Sequence, residues 1–72
     1  MIEKVKILEF DQWGNAKIKV SRPITKVRQV LADGESMWYF FYVGDKEQGV
    51  IWIDEAFYRN LNYDSEIIVE YE

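Results

Sequence analysis

Turn signals punctuate this chain about every ten residues, a spacing that suits a series of short antiparallel strands. The signals are Asp11-Gln12-Trp13-Gly14-Asn15, Ser21-Arg22-Pro23, Ala32-Asp33-Gly34-Glu35 and Gly44-Asp45-Lys46-Glu47. Each has a mechanism. Gly14 and Asn15 tolerate positive φ, Pro23 cannot donate to a ladder, and Asp-Gly suits a tight hairpin. Between them lie strands expected at residues 2–10, 16–20, 24–31, 36–43 and 48–53, with a last one at 66–71. The first should bend or bulge near Leu8, where its alternation weakens. In residues 24–31 the apolar positions also fit a helical period, but their β-branched content favours strand. Residues 36–43 are apolar on both faces, which places them centrally. Asp54 reads as an N-cap for a short helical or 3₁₀ segment over 55–61, with Phe57 and Leu61 facing the core and Asn60 and Asn62 at its C-terminal end.

The expected fold is therefore mostly β: one domain, residues 1–72, built as a small five- or six-stranded antiparallel barrel or meander with one short helix or 3₁₀ segment near 54–62. From about Val27 to Tyr71 the order of elements resembles an SH3-like barrel. The resemblance is one of architecture. The chain has no Ala-Leu-Tyr-Asp-Tyr stretch and no Pro-Ser-Asn-Tyr turn, the residues that bind peptide in SH3 domains.

A chain of 72 residues needs a dense core, and its four Phe, five Tyr and three Trp are the natural supply. There is no cysteine and no histidine. That removes disulfides, Cys-ligated zinc, a thiol nucleophile and the usual general base. The reading is non-enzymatic, with no cofactor and no metal. Carboxylates in turns (Asp33/Glu35, Asp45/Glu47, Asp64/Glu66) read as turn chemistry, since no calcium-loop pattern is present. The longest apolar run, residues 37–43, is too short to span a bilayer, and no signal-peptide pattern opens the chain. A cytoplasmic location, in a cell or in a host cell, is the expectation.

Charge is polarised. Residues 1–32 hold seven Lys/Arg against three carboxylates, and residues 33–72 hold two against ten. Three triplets, Lys4-Val5-Lys6, Lys17-Ile18-Lys19 and Lys26-Val27-Arg28, each put two cations on one strand face. If their strands were neighbours, six cations would share one surface. Lys17, Lys19, Lys26 and Arg28 would be contiguous if residues 21–23 linked hairpin partners. With Trp13 for stacking, that surface would suit nucleic acid. Against this, a pairing of the first and last strands would set Lys4 and Lys6 opposite Glu66, Glu70 and Glu72 and compensate them. The net charge of −4 also opposes non-specific nucleic-acid binding.

The favoured reading is a small interaction module for a protein partner, a homodimer included. A single core can use one face of residues 37–43, which leaves Trp38, Phe40 and Tyr42, joined by Trp52, as an aromatic interface. The competing expectation is that Phe57, Tyr58 and Leu61 cover that face. An accessory or inhibitor protein of phage or mobile-element origin suits the size. Nucleic-acid binding is the alternative, and an acidic DNA mimic the minor one.

Overall fold

The computed structural model describes the whole chain, Met1–Glu72. Two antiparallel four-stranded sheets and one 3₁₀ turn make up its regular structure. One sheet runs, in spatial order, β1 (Ile2–Val5), β8 (Ile67–Tyr71), β4 (Val27–Ala32) and β5 (Glu35–Ser36). The other runs β2 (Glu9–Phe10), β3 (Ala16–Lys19), β7 (Val50–Ile53) and β6 (Phe41–Asp45). The mostly-β expectation holds at that level. The two sheets are not closed into a barrel, and β8 lies between β1 and β4, so the fold is not a simple meander either.

The chain passes between the sheets four times, and two of these passages are bends within segments expected to be single strands. Residues 2–10 divide into β1 and β2 around Lys6, Ile7 and Leu8, where the bend was expected. Ile7 is buried there, and the Leu8 N–H already donates to the Lys17 carbonyl of the second sheet at 2.8 Å. The second of these bends corrects the sequence reading. Residues 36–43 do not form one central strand; they split into β5 and β6, each at a sheet edge. Between them a turn closes from the Phe40 N–H to the Met37 carbonyl at 2.7 Å, with Trp38 at φ 51°. A straight strand apolar on both faces would leave one face in water. Bending buries Met37 and starts the alternation again at Phe41.

Alternation explains the strands themselves. In β3, Ala16 and Ile18 are buried while Lys17 and Lys19 point away. They meet Ile53 and Ile51 of β7 in register. In β8, Ile67, Val69 and Tyr71 are buried and alternate with Ile68 and Glu70. The turn of Asp33 and Gly34 carries φ values of 50° and 87° and sets Ala32 opposite Glu35, a two-residue hairpin of the expected kind.

The core is aliphatic, against expectation. It gathers Ile, Val, Ala, Met and Leu side chains, and Tyr71 is the one aromatic residue in it. Its hydroxyl donates to Glu3, whose carboxylate also accepts the Ser21 N–H at 2.9 Å and the Ser21 hydroxyl at 2.8 Å. Burial pushes the Glu3 carboxyl up, but the Tyr71 and Ser21 hydrogen bonds and the Arg22 charge outweigh it and hold the group below its ordinary value. Burial, reinforced by Glu3, raises the Tyr71 hydroxyl.

The segment after β7 also differs from the reading. Asp54 caps nothing with its side chain. Its N–H donates to the Phe40 carbonyl at 2.8 Å, and Ala56 stands at the N-cap without a side-chain bond. The helical segment is the single 3₁₀ turn Phe57–Arg59. Asn60 ends it in the left-handed region at φ 64°, as a C-terminal cap should. Leu61 reaches the core, whereas Phe57 does not.

Two predictions follow from these geometries. Gly49 sits at φ 71°, and a Cβ there would lie 2.7 Å from the Val20 carbonyl and 2.8 Å from that of Arg22. Gly34 has a similar φ of 87° but open space around it. Gly49→Ala should therefore destabilise the fold by more than the ~1–2 kcal/mol of a left-handed alanine, and Gly34→Ala by about that amount. Chemical denaturation of the two variants checks the order. Glu3, held down by its hydrogen bonds, and Asp33, held down chiefly by the Glu66 N–H, both have folded values below their unfolded ones. Their contribution is present above the ordinary carboxylate range and is lost as pH falls below that range through the lowered folded values. Glu3→Gln should flatten the melting temperature against pH across that window.

Candidate functional site

Exposed aromatic side chains are the main feature of the surface. They fall in three places. The first is the turn between β5 and β6. Trp38 is 74% exposed and Tyr39 80%, while Phe40 is half-buried. The Phe40 ring lies 4.8 Å from Tyr39, and the Arg59 guanidinium sits 4.1 Å above it. Arg59 is steadied by a hydrogen bond from its Nε to the Asp54 carbonyl. Trp38 and Tyr39 wall a groove of about 420 Å³ whose other sides are Arg28, Gln29, Ser36 and Glu70.

Backbone strain accompanies that turn. The non-glycine residues at positive φ are Asp33, Trp38, Glu55 and Asn60. Asp and Asn adopt this region readily; a bulky tryptophan does not. The Trp38 N–H donates to the Ser36 hydroxyl at 3.2 Å, which helps hold the bend. Strain, exposure and a groove thus coincide at Trp38.

The second place is the outer face of the second sheet. Register sets Tyr42 of β6 against Trp52 of β7, and Lys17 of β3 on the other side of Trp52. Trp52 is half-buried. Its indole lies on Gly44, where a Cβ would come within 2.7 Å of the ring. Gly44 is thus a seat for Trp52, and that ring is partly used by its own sheet. The four residues expected to form one interface, Trp38, Phe40, Tyr42 and Trp52, are therefore divided: Tyr42 and Trp52 share a face, and Trp38 and Phe40 belong to the turn.

Sequence reasoning missed the third place. Phe10 stands edge-on to Phe57 at 6.3 Å and to Tyr63 at 5.3 Å, and Phe57 packs edge-on to Tyr58 at 5.7 Å. Phe57 and Tyr58 remain 63% and 74% exposed. They do not cover Tyr42 and Trp52; they close on the β2–β3 turn, where the Phe57 N–H donates to the Gly14 carbonyl at 2.9 Å. Asn15 completes the clip, accepting the Glu55 N–H at 2.8 Å and donating to Asp11 at 3.0 Å. Trp13, in the same turn, is exposed. No local signal ties residue 10 to residues 57 and 63, so this cluster was not readable from spacing.

The charged triplets do not make one surface. β3 pairs with β2 and β7, and β4 with β5 and β8. Residues 21–23 are a passage between sheets and not a hairpin link, so Lys17 and Lys19 lie on a different sheet from Arg28, and Lys26 precedes its strand. The expected pairing of first and last strands is present, with Lys4 opposite Ile68. Lys4 comes within 3.6 Å of Glu66, Lys17 within 3.5 Å of Glu9, and Arg28 pairs with Glu72. Lys6 donates to the Asp64 carbonyl at 2.8 Å. These exposed contacts are each worth ~0–1 kcal/mol, but they take up positive charge that phosphates would need.

Carboxylates in the turns act as caps. Asp11 accepts the Trp13 and Asn15 N–H groups, Asp45 that of Gln48, and Asp33 that of Glu66, each between 2.9 and 3.0 Å. No cluster of three or more acidic residues is arranged to hold a metal ion. No helix is long and apolar enough to cross a membrane. Comparison with protein-family models, with curated proteins and with solved structures found no match.

The strained turn yields a test of its own. Trp38→Gly should melt at or above the wild-type temperature, because glycine removes a left-handed strain of ~1–2 kcal/mol and little packing is lost. Trp52→Ala should melt lower by an amount equivalent to ~1–3 kcal/mol, because its ring is seated on Gly44. Differential scanning calorimetry separates the two, and equal losses would mean that Trp38 is as structural as Trp52.

Proposed function

We propose that this chain is a small non-enzymatic interaction module that binds a protein partner, with Trp38 at the centre of the contact. The observation that carries the reading is the strained, exposed Trp38–Tyr39 turn beside its groove. Tyr71 is the only aromatic residue fully in the core, with Phe10 and Phe41 packed against it, while Trp38, Tyr39, Tyr42, Phe57 and Tyr58 are exposed, and exposed apolar patches mark contact sites. Tryptophan and tyrosine are the side chains that most often dominate binding energy. Tyr42 and Trp52 supply a second aromatic face for the same partner or for a second copy of the chain. The ion pairs of Lys4, Lys17 and Arg28 favour this reading over a nucleic-acid surface, since they compensate cations a phosphate backbone would use. An accessory or inhibitor role fits a binding surface without catalytic groups. The fine architecture belongs to the same reading: two sheets joined by bends at residues 6–8 and 37–40 resemble an SH3-like barrel left open.

The deciding experiment is affinity capture from cells that carry the protein, using wild type, Trp38→Ala and Trp52→Ala. A protein should be retained by wild type and lost with Trp38→Ala, with binding weakened by ~2–4 kcal/mol and melting unchanged. Sedimentation of the purified chain reads the homodimer arm. Retention that nuclease abolishes, or retention indifferent to Trp38, would overturn the proposal.

A further inference from the structure

A second groove, also about 420 Å³, lies at the tip of the β4–β5 hairpin. Its floor is apolar: Ala32, Met37 and Leu61, all buried. Two exposed acidic residues, Asp33 and Glu35, are part of its wall. A concave site with an apolar floor and a few polar groups to one side is the usual form of a specific pocket. Here the polar side holds two carboxylates against the one guanidinium of Arg59, with Asn60 beside them.

The cations nearest the groove are engaged elsewhere. Arg59 forms part of the wall, yet its guanidinium lies over Phe40 at 4.1 Å and its Nε is bonded to the Asp54 carbonyl. Lys6 acts on Asp33 from a distance, but its Nζ is bonded to the Asp64 carbonyl. Neither Asp33 nor Glu35 takes part in any of the ion pairs, which are Lys4–Glu66, Lys17–Glu9 and Arg28–Glu72. Asp33 accepts the Glu66 N–H at 2.9 Å and is also hydrogen-bonded by the Ser65 hydroxyl, whereas the Glu35 carboxylate has no hydrogen-bond donor.

We infer that this groove takes a lysine or arginine side chain of the protein partner, its aliphatic stem on Met37 and Leu61 and its cationic head between Asp33 and Glu35. Long basic side chains bury their stems and keep their charge at a polar rim, which is the pattern this groove offers. Charge complementarity selects the cation. The apolar floor selects a stem over a small inorganic ion. The inference rests on the proposed function and deepens it. Met37 and Trp38 are consecutive, so the basic side chain and the Trp38 contact belong to one footprint on the partner.

The probe is N-acetyl-lysinamide, titrated into ¹⁵N-labelled protein and followed by amide chemical shifts. Shifts should concentrate on residues 32–37 and 59–61 and saturate. N-acetyl-norleucinamide, which has the stem without the charge, should bind more weakly. Glu35→Gln should weaken the lysine probe about two- to fivefold, as for an exposed charge pair. Asp33→Asn combined with Glu35→Gln should weaken it further; asparagine keeps an oxygen for the Glu66 N–H, and a melting curve confirms the fold. Equal binding of both probes, shifts centred elsewhere, or indifference to the double variant would overturn the inference. Stronger saturation by spermidine than by the lysine probe would also overturn it, reassigning the groove to a free polyamine. Partner capture that depends on Trp38 without any lysine response would sink this inference and leave the proposed function standing.

Discussion

Hydrogen bonding of β8 along both its edges holds the first sheet together. The last strand lies between β1 and β4, so the two ends of the chain and its middle meet in one ladder. Ile67, Val69 and Tyr71 then fill the space beneath it, at ~1.5–3 kcal/mol for each large apolar side chain removed from water. The hydroxyl of Tyr71 is carried inward with the ring, and a buried hydroxyl needs a partner. Glu3 supplies it, and the same carboxylate holds Ser21 where the chain leaves β3. One strand thus fixes β1, β4 and the passage between the sheets. Its contacts are long-range, so they form only when the chain ends meet.

Two bends decide what the surface carries. At Ile7 the chain crosses from the first sheet to the second and keeps an aliphatic residue inside. At Met37 it crosses again. Met37 goes in, Trp38 takes a left-handed conformation, and the following aromatics are redistributed. Each crossing must preserve an inward aliphatic residue, because the core between the sheets is close-packed. Apart from Tyr71 in the core and Phe41 packed against it, the aromatic side chains lie at the periphery in three groups. The protein is therefore stabilised by Ile and Val and presents Trp, Tyr and Phe. Trp38 and Tyr39, both strongly exposed, contribute little packing to the fold, whereas the half-buried Trp52 is seated on Gly44.

Local chemistry was legible where it is local. The Asp33-Gly34 hairpin, the stop at Pro23, the left-handed Asn60 and the bend near Leu8 follow from residue types and their backbone preferences. The alternation of Ala16, Ile18 and Val20 with Lys17 and Lys19 likewise named the buried face of β3. Failures came where two segments compete for one space. Asp54 has the chemistry of a cap, but its N–H is taken by Phe40 and the turn is too short to need one. The strand expected at 36–43 has a strand's composition, yet no straight strand could bury both its faces. The lysine triplets have one pattern and three destinations.

The sequence by itself determined a small, mostly β chain with recognisable turns, an acidic second half, and a segment, residues 37–43, apolar on both faces. Those properties depend on φ preferences, side-chain alternation and charge, all of which act within a few residues. Only the tertiary structure decided which aromatics are buried, which cations are compensated and where grooves open. Those depend on the placement of β8 between β1 and β4 and on the bend at Met37. Both are set by competition for the space between two sheets, and no window of neighbouring residues contains that competition.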